Sequence, residues 1–318
     1  MELCFFYLVN FLKEMINNFP IAYDSCYKLN LPPGHRFPME KYEKLPKKLI
    51  EKGIADTSNF FKPNFPNIED ILLTHNKNYV DKLNNLMLSK NEIRKIGFPL
   101  SGDLIRREFI ISGGTIEGAV KSLNHGISMN IAGGTHHAFS DRGEGFCLLN
   151  DQAVAANYLI KNHKIEKILV IDLDVHQGNG TAAIFNNLNN VFTFSMHGEK
   201  NYPFKKEKSD LDIELKDKTG DHEYLNILNS IIEKLINKLN PEFIFYLAGV
   251  DVIKTDKLGR LSLSIEGCKK RDQIVFSICK KKNIPIQCSM GGGYSEDIDL
   301  IVEAHTNTFL MAKNIIAN

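Results

Sequence analysis

Residues 168–176 read ILVIDLDVH, an apolar run that ends in two aspartates and a histidine. Short apolar runs rich in β-branched residues recur at 128–131, 168–173, 191–194, 243–247 and 284–288. Their lengths suit strands buried on both faces of a parallel sheet. Between them, apolar residues spaced by three and four predict helices over 151–161, 224–239 and 265–282. The alternation predicts an α/β fold with one open, mostly parallel sheet and helices on both faces.

Length and the N-terminus bound the domain organisation. The chain has 318 residues and 43% apolar content, which is within the range of one large α/β domain. Residues 3–12 are apolar, but they have no basic segment before them and are too short to span a bilayer. Met15 is a plausible alternative start. We expect residues 1–14 to form a separate extension and residues 15–318 to form one domain.

Charge and cysteine usage exclude several classes of protein. Lys and Arg number 39 against 38 Asp and Glu, so no overall field favours nucleic acid or an anionic membrane. The six cysteines form no CxxC pair, which argues against a thiolate zinc site and a disulfide scaffold and favours the cytoplasm. No coiled-coil repeat is present, and we expect a monomer.

The polar ends of two apolar runs suggest a catalytic metal site. Asp172, Asp174 and His176 alternate along the chain, so their side chains point to one side of a strand. Asp251 follows a second apolar run and a small-residue turn. Buried carboxylates need a cation or strong donors nearby. Carboxylates with one imidazole leave positions free for water and substrate, and they suit Zn²⁺, with Fe²⁺ or Mn²⁺ as alternatives.

Two glycine-rich turns carry further polar groups. Residues 131–137 read IAGGTHH, and His136 and His137 are candidates for general acid and base chemistry because imidazoles exchange protons near neutral pH. Residues 286–294 read IQCSMGGGY, where Tyr294 is a candidate donor to an oxyanion. A phosphate-binding loop is the alternative for the second turn, but neither a Lys-Ser/Thr pair nor GxGxxG spacing follows.

Five motifs together resemble the histone deacetylase superfamily in its chain order. They are GGTHHA (133–138), GFCLLND (145–151), DLDVHQGNG (172–180), AGVD (248–251) and GGGY (291–294). The resemblance extends from about Ile21 to the C-terminus. Residues 251–253 and 256–264 are most similar to the class IV branch and its bacterial relatives. The resemblance implies an arginase-like fold and a metal-dependent deacylase that hydrolyses an acyl-lysine-like amide.

The resemblance also implies roles for individual residues. By motif position, the metal ligands are Asp174, His176 and Asp251, and Tyr294 polarises the acyl carbonyl. The family's narrow substrate channel implies a set of lining residues, namely Gly145, Phe146, Gly293, Leu258 and, for a wall that aligns poorly, Tyr202 or Phe204. A monovalent cation, K⁺, is implied at Asp172, Asp174, His176, Ser195 and Met196.

One position departs from the family pattern. Asn179 occupies the position at which the family usually has an acidic partner for the second histidine. His136 would therefore face Asp172, while His137 faces a neutral amide. An anionic neighbour raises the pKa of a histidine and a neutral one does not. We therefore predict that His137 acts as base and then acid, while His136 with Asp172 stabilises charge.

Alternatives to an acyl-lysine hydrolase remain open. An acetylpolyamine or another small acylated amine presents the same amide at the end of a flexible chain. A binuclear ureohydrolase needs further carboxylates, but the residues two positions beyond His176 and Asp251 are Gly178 and Ile253. A non-catalytic acyl-lysine binding module would not need His136, His137 and Tyr294.

Overall fold

The computed structural model describes residues 19–317 of the chain. The predicted extension, residues 1–14, lies outside the described residues. Within the described range the chain forms a single sheet of eight strands. The strands are β1 (Ile21–Ala22), β2 (Phe60–Phe61), β3 (Ile127–Asn130), β4 (Ile168–Asp172), β5 (Val191–Gly198), β6 (Leu211–Leu215), β7 (Phe243–Leu247) and β8 (Ile286–Ser289).

Ten α-helices connect these strands in residues 19–317. They are α1 (Lys41–Glu51), α2 (Ile68–Ile71), α3 (Lys77–Asn84), α4 (Lys90–Ile96), α5 (Gly102–His125), α6 (Asp151–His163), α7 (Asn179–Phe185), α8 (Asp221–Leu239), α9 (Ile265–Lys282) and α10 (Ile298–Ala312). Side chains cap several of them: Ser101, Asn150 and Ser264 each accept a hydrogen bond from a backbone N–H in the first turn of α5, α6 and α9.

The strand order is β2-β1-β3-β8-β7-β4-β5-β6, and every neighbouring pair is parallel. All residues of β3, β4, β7 and β8 are buried, so both faces of the central sheet are covered. The predicted α/β fold is confirmed. Two edge strands, β2 and β6, were not predicted. The former has two residues, and the latter (LDIEL) is partly exposed and interrupted by acidic residues.

The topology brings the carboxyl ends of four adjacent strands to one edge of the sheet. In the order β3, β8, β7, β4, these ends continue into the four segments in which the sequence predicts metal ligands or catalytic residues. Ligands in open α/β sheets bind beyond this edge. The described cysteines, five in number, form no disulfide. Over residues 19–317, none of the helices combines the length and apolar character needed to cross a membrane.

Candidate metal and catalytic site

Asp174, His176 and Asp251 converge at the carboxyl edge of β4 and β7. One ligand atom from each lies within 4.8 Å of the others, and all three residues are buried. His176 Nδ1 is 3.0 Å from Asp174 Oδ1 and 3.2 Å from Asp251 Oδ2. This spacing lets three ligand atoms from two loops contact a single ion at ordinary ligand distances.

Backbone groups orient both carboxylates. Asp174 Oδ2 accepts a hydrogen bond from the Gly292 N–H at 2.9 Å, and Asp251 Oδ1 accepts one from the Val175 N–H at 3.0 Å. A Cβ at Gly292 would lie 1.8 Å from Asp251 Oδ2. Only glycine at this position leaves room for the carboxylate, which explains why a glycine turn follows β8.

Two further features of the ligand residues fit a divalent cation, namely a buried carboxylate oxygen and shifted pKa values. Asp251 Oδ2 is fully buried and has no hydrogen-bond partner among residues 19–317. Burial and the nearby charge of Asp174 raise the pKa of Asp251 above its ordinary value. Burial opposes a charge on His176, yet the two carboxylates raise its pKa to about 10. A buried carboxylate oxygen that lacks a hydrogen-bond donor and lies beside an imidazole and a second carboxylate is where a cation would be held.

The two histidines of the second motif lie next to this cluster. His136 Nδ1 is 2.7 Å from Asp172 Oδ2, and His137 Nδ1 is 2.6 Å from Asn179 Oδ1. The two rings are 4.1 Å apart, and the ring of His137 is 5.9 Å from that of His176. When Nδ1–H donates to Asn179 Oδ1, the Nε2 atom of a neutral His137 is free to accept a proton.

The two rings differ in basicity. Burial opposes a charge on His136, but the Asp172 carboxylate raises its pKa above the ordinary value. Burial, together with the charges of His136 and His176, holds the pKa of His137 well below its ordinary value. His137 is therefore the less basic of the two rings, and the lowering comes from burial and the neighbouring histidines, because the hydrogen bond to Asn179 acts to raise its pKa.

Tyr294 lines the same cavity as the two histidines. Its backbone N–H donates to Asp256 Oδ2 at 2.6 Å, and Asp256 Oδ1 accepts from the N–H groups of Leu258 and Gly259. The Tyr294 ring is 6.4 Å from the His176 ring, centroid to centroid. Burial and the charges of Asp251 and Asp174 raise the pKa of Tyr294 well above its ordinary value, so the hydroxyl keeps its proton.

A narrow cavity opens onto the candidate metal ligands. Gly145 and Phe146 line it, as the resemblance implies, and so does Phe37, which the sequence analysis did not identify. The Phe37 and Phe146 rings are 5.2 Å apart and nearly edge to face. Further lining residues include Tyr42, Arg107, Ile111, Gly133, Gly134, Thr135, His136, His137, Cys147, Asp174, His176, Gly291, Gly292 and Tyr294.

Four residues that the resemblance assigns to the channel do not line this cavity. Phe204 is 91% exposed, and its ring centroid is 6.3 Å from that of Tyr202 in an edge-to-face arrangement. Tyr202 lies beside His137, with ring centroids 4.9 Å apart, and its hydroxyl donates to Glu144 Oε2. Gly293 is buried against the core, and Leu258 is held through its carbonyl by the Asn201 side chain.

Three of the residues implied for a monovalent cation lie on the paired strands β4 and β5, and the other two belong to the ligand cluster. Asp172 and Ser195 are register partners on β4 and β5, and Met196 follows on β5. Asp172 Oδ1 accepts a hydrogen bond from the Asp174 N–H at 3.1 Å. The Ser195 hydroxyl pairs with His197 Nδ1 at 2.8 Å. The structure therefore brings the set together around the end of β4.

Arg271 on α9 supports both ligand-bearing loops and was missed by the sequence analysis. Its fully buried guanidinium donates to the carbonyls of Leu173 and Gly249, at 3.1 and 2.5 Å. It also pairs with Asp272 at 2.8 Å. The contacted carbonyls belong to the segments that carry Asp174 and Asp251. The only signal in the sequence is a charged pair at 271–272 within an amphipathic helix.

We expect Arg271→Met to destabilise the fold by about 3–5 kcal/mol, because it leaves the buried Asp272 carboxylate without its counter-charge and removes the guanidinium donor from two buried carbonyls. Urea unfolding followed by circular dichroism would measure the loss. Arg260→Met is the matched control, since Arg260 pairs with Asp217 on the surface and should matter much less. Equal losses in the two variants would contradict the supporting role of Arg271.

Comparison with known proteins identifies the family. A family model described as the histone deacetylase domain matches residues 35–309. An uncharacterised protein of Picosynechococcus sp. is 39% identical over 297 residues, covering 93% of this chain and 99% of that protein. Histone deacetylase 2 of Arabidopsis thaliana is 30% identical over 287 residues, covering 86% of this chain and 74% of that protein.

Two solved structures share the fold. The crystal structure of the HDA15 HD domain superposes with a TM-score of 0.79 at 18% identity, covering 95% of this chain and 90% of that one. A histone deacetylase homologue complexed with SAHA superposes with a TM-score of 0.81 at 24% identity, covering 93% and 84%. Because the family model matches most of the chain and the relatives cover it widely, the chain belongs to the histone deacetylase family of hydrolases.

Proposed function

We propose that this chain is a zinc-dependent hydrolase that removes an acyl group, acetyl or longer, from a lysine-like amine. The observation that carries the proposal is the buried convergence of Asp174, His176 and Asp251 beside His136 and His137. The substrate is an acyl-lysine protein or a small acylated amine such as an acetylpolyamine. A narrow cavity with aromatic walls suits a flexible chain that ends in an amide.

The chemistry needs an activated water and a stabilised oxyanion. Asp174, His176 and Asp251 would hold a zinc ion, which would supply the Lewis acidity that lowers the pKa of a water from about 16 toward about 7 and polarises the acyl carbonyl. Fe²⁺ suits the same ligands. The protein's own residues then have to accept a proton, stabilise charge and return the proton to the departing amine.

The histidines divide the proton transfer between them. His137 Nε2 accepts a proton from the attacking water, because its Nδ1–H is already committed to Asn179. His136, paired with the Asp172 carboxylate, carries a positive charge that stabilises the developing oxyanion. Protonated His137 then donates its proton to the leaving amine, and the carboxylate product departs. Tyr294 donates its hydroxyl hydrogen to the oxyanion.

Asn179→Asp tests this division. We expect the acidic limb of the kcat/KM profile to move to higher pH, because an anionic partner raises the pKa of His137 and the base must be deprotonated to act. The measurement is the profile of both proteins on one acetyl-lysine peptide. An acidic limb at the same pH in both proteins would refute the role given to Asn179.

Hydrolysis of acyl-lysine peptides, with and without a chelator, tests the function itself. We expect release of free carboxylate that the chelator stops and added zinc restores. A series from acetyl to palmitoyl peptides, run beside an acetylpolyamine, would identify the substrate class. Absence of hydrolysis for every substrate, with zinc bound, would favour a non-catalytic binding module.

Further features belong to the same proposal. We propose a class IV type of enzyme, with K⁺ bound near Asp172, Ser195 and Met196, on one catalytic domain spanning residues 15–318. We also propose that it acts as a monomer in the cytoplasm without nucleic acid as a partner. The near-zero net charge, the scattered cysteines and the absence of heptads support these points.

A further inference from the structure

Two buried side chains hold consecutive carbonyls of the glycine turn 291–293. Lys41 Nζ, from the start of α1, donates to the Gly291 carbonyl at 3.4 Å. His305 Nε2, from α10, donates to the Gly292 carbonyl at 3.1 Å. Lys41 is 1% exposed and His305 is 0% exposed. The turn is therefore held from two different helices by groups that belong to neither the ligand set nor the histidine pair.

Lys41 is an expensive residue to bury at this position. Across residues 19–317, no carboxylate lies within ion-pair distance of its ammonium. The ammonium instead lies over the rings of Phe37, Tyr42 and Tyr294, at 5.0, 5.5 and 5.6 Å from their centroids. Burial lowers the pKa of Lys41 to about 8. An apolar side chain would fill the space without this desolvation cost.

His305 carries a comparable cost. Its Nδ1 atom is buried without a hydrogen-bond partner among the described residues, while Nε2 contacts the turn. A buried polar atom without a partner costs free energy that an apolar residue would avoid. Both residues thus lower the stability of the fold, and both contact the same short segment.

The segment they hold connects two parts of the site. The Gly292 N–H donates to Asp174 Oδ2, and Tyr294 follows two residues later. Gly291 and Gly293 have φ angles of 69° and 132°, a region where glycine is unusually free. A turn of three glycines cannot fix its own geometry. External contacts must determine where the Tyr294 hydroxyl lies relative to Asp174.

We propose that Lys41 and His305 are positioning residues that fix the 291–293 turn and thereby aim Tyr294 at the acyl carbonyl. The inference rests on the oxyanion role proposed for Tyr294. Lys41 acts twice, through the Gly291 carbonyl and through the face of the Tyr294 ring. His305 acts on the next carbonyl, beside the amide that orients Asp174.

A double-mutant cycle tests whether Lys41 acts through Tyr294. Lys41→Met is expected to lower kcat by about 10–100-fold with little change in KM, as losses of outer-shell support do. In the Tyr294→Phe background the same substitution should lower kcat by less than about threefold, since the hydroxyl it aims is gone. Lys41→Arg keeps a donor and should restore most of the activity. An equal loss in both backgrounds would overturn the proposal.

Hydrogen exchange of the metal-free protein gives a readout that does not depend on activity. We expect faster exchange in a peptide spanning 290–295 for Lys41→Met and for His305→Phe, with exchange restored by His305→Gln, which keeps a donor. Lys44→Met is the matched control on the same helix, because Lys44 is exposed and pairs with Asp299. Unchanged exchange in both test variants would overturn the positioning role. If Tyr294→Phe alone leaves turnover intact, the oxyanion role proposed for Tyr294 fails, while the exchange result still decides whether Lys41 and His305 hold the turn.

Discussion

Asp251→Asn is expected to abolish zinc binding and to lower kcat/KM by at least about 10³-fold. This loss corresponds to the several kcal/mol of transition-state stabilisation that a catalytic ion supplies. Asp251 Oδ2 is 3.2 Å from His176 Nδ1 and is buried without a hydrogen-bond donor among residues 19–317. The amide keeps the size of the side chain and removes its charge. The measurements are zinc content by atomic absorption and initial rates on an acetyl-lysine peptide.

A surface aspartate provides the control. Asp217→Asn removes the same charge from a residue that pairs with Arg260 at the surface. It should leave zinc content and turnover unchanged. If the Asp251→Asn variant has the same zinc content and turnover as the parent enzyme, Asp251 is not a ligand.

Tyr294→Phe should lower kcat by roughly 10²–10³-fold, the usual effect of losing one oxyanion donor, while KM stays nearly constant. The hydroxyl remains protonated because burial and the charges of Asp251 and Asp174 raise its pKa well above the ordinary value. The ring should keep its contacts with Phe37 and Phe146, so the loss reports on the hydroxyl. Steady-state kinetics with the parent enzyme as reference would measure it.

Tyr158→Phe is the matched control, since Tyr158 lies on α6 beside His163 and away from the cavity. Its turnover should match that of the parent enzyme. A fall in kcat of less than about threefold for Tyr294→Phe, far below the expected loss of an oxyanion donor, would remove Tyr294 from the mechanism.

The sheet and the clustering of the site could be predicted because both depend on local patterns. Buried parallel strands are continuous apolar runs, and the polar residues directly after them must lie at one edge of the sheet. That is why Asp174 and His176 after β4, and Asp251 after β7, could be placed together before the fold was known. The strand bounds agree closely, with 243–247 predicted and Phe243–Leu247 observed.

The supporting residues could not be predicted, because they act across long sequence separations. Phe37 reaches the cavity from a turn-rich segment before α1, and Arg271 reaches two carbonyls from the middle of α9. Helix α5 escaped prediction because buried polar residues such as Glu108 and Thr115 interrupt its apolar spacing. Phe204 was one of two alternatives for a channel wall that aligns poorly with the family, and its ring faces solvent.

Titration of zinc into metal-free enzyme, with turnover of an acetyl-lysine peptide followed at each step, tests the central claim most directly. The convergence of Asp174, His176 and Asp251 predicts that activity is absent without metal and rises to a plateau at a single equivalent per chain. Full turnover in the metal-free enzyme, or a plateau that requires a second equivalent, would contradict it.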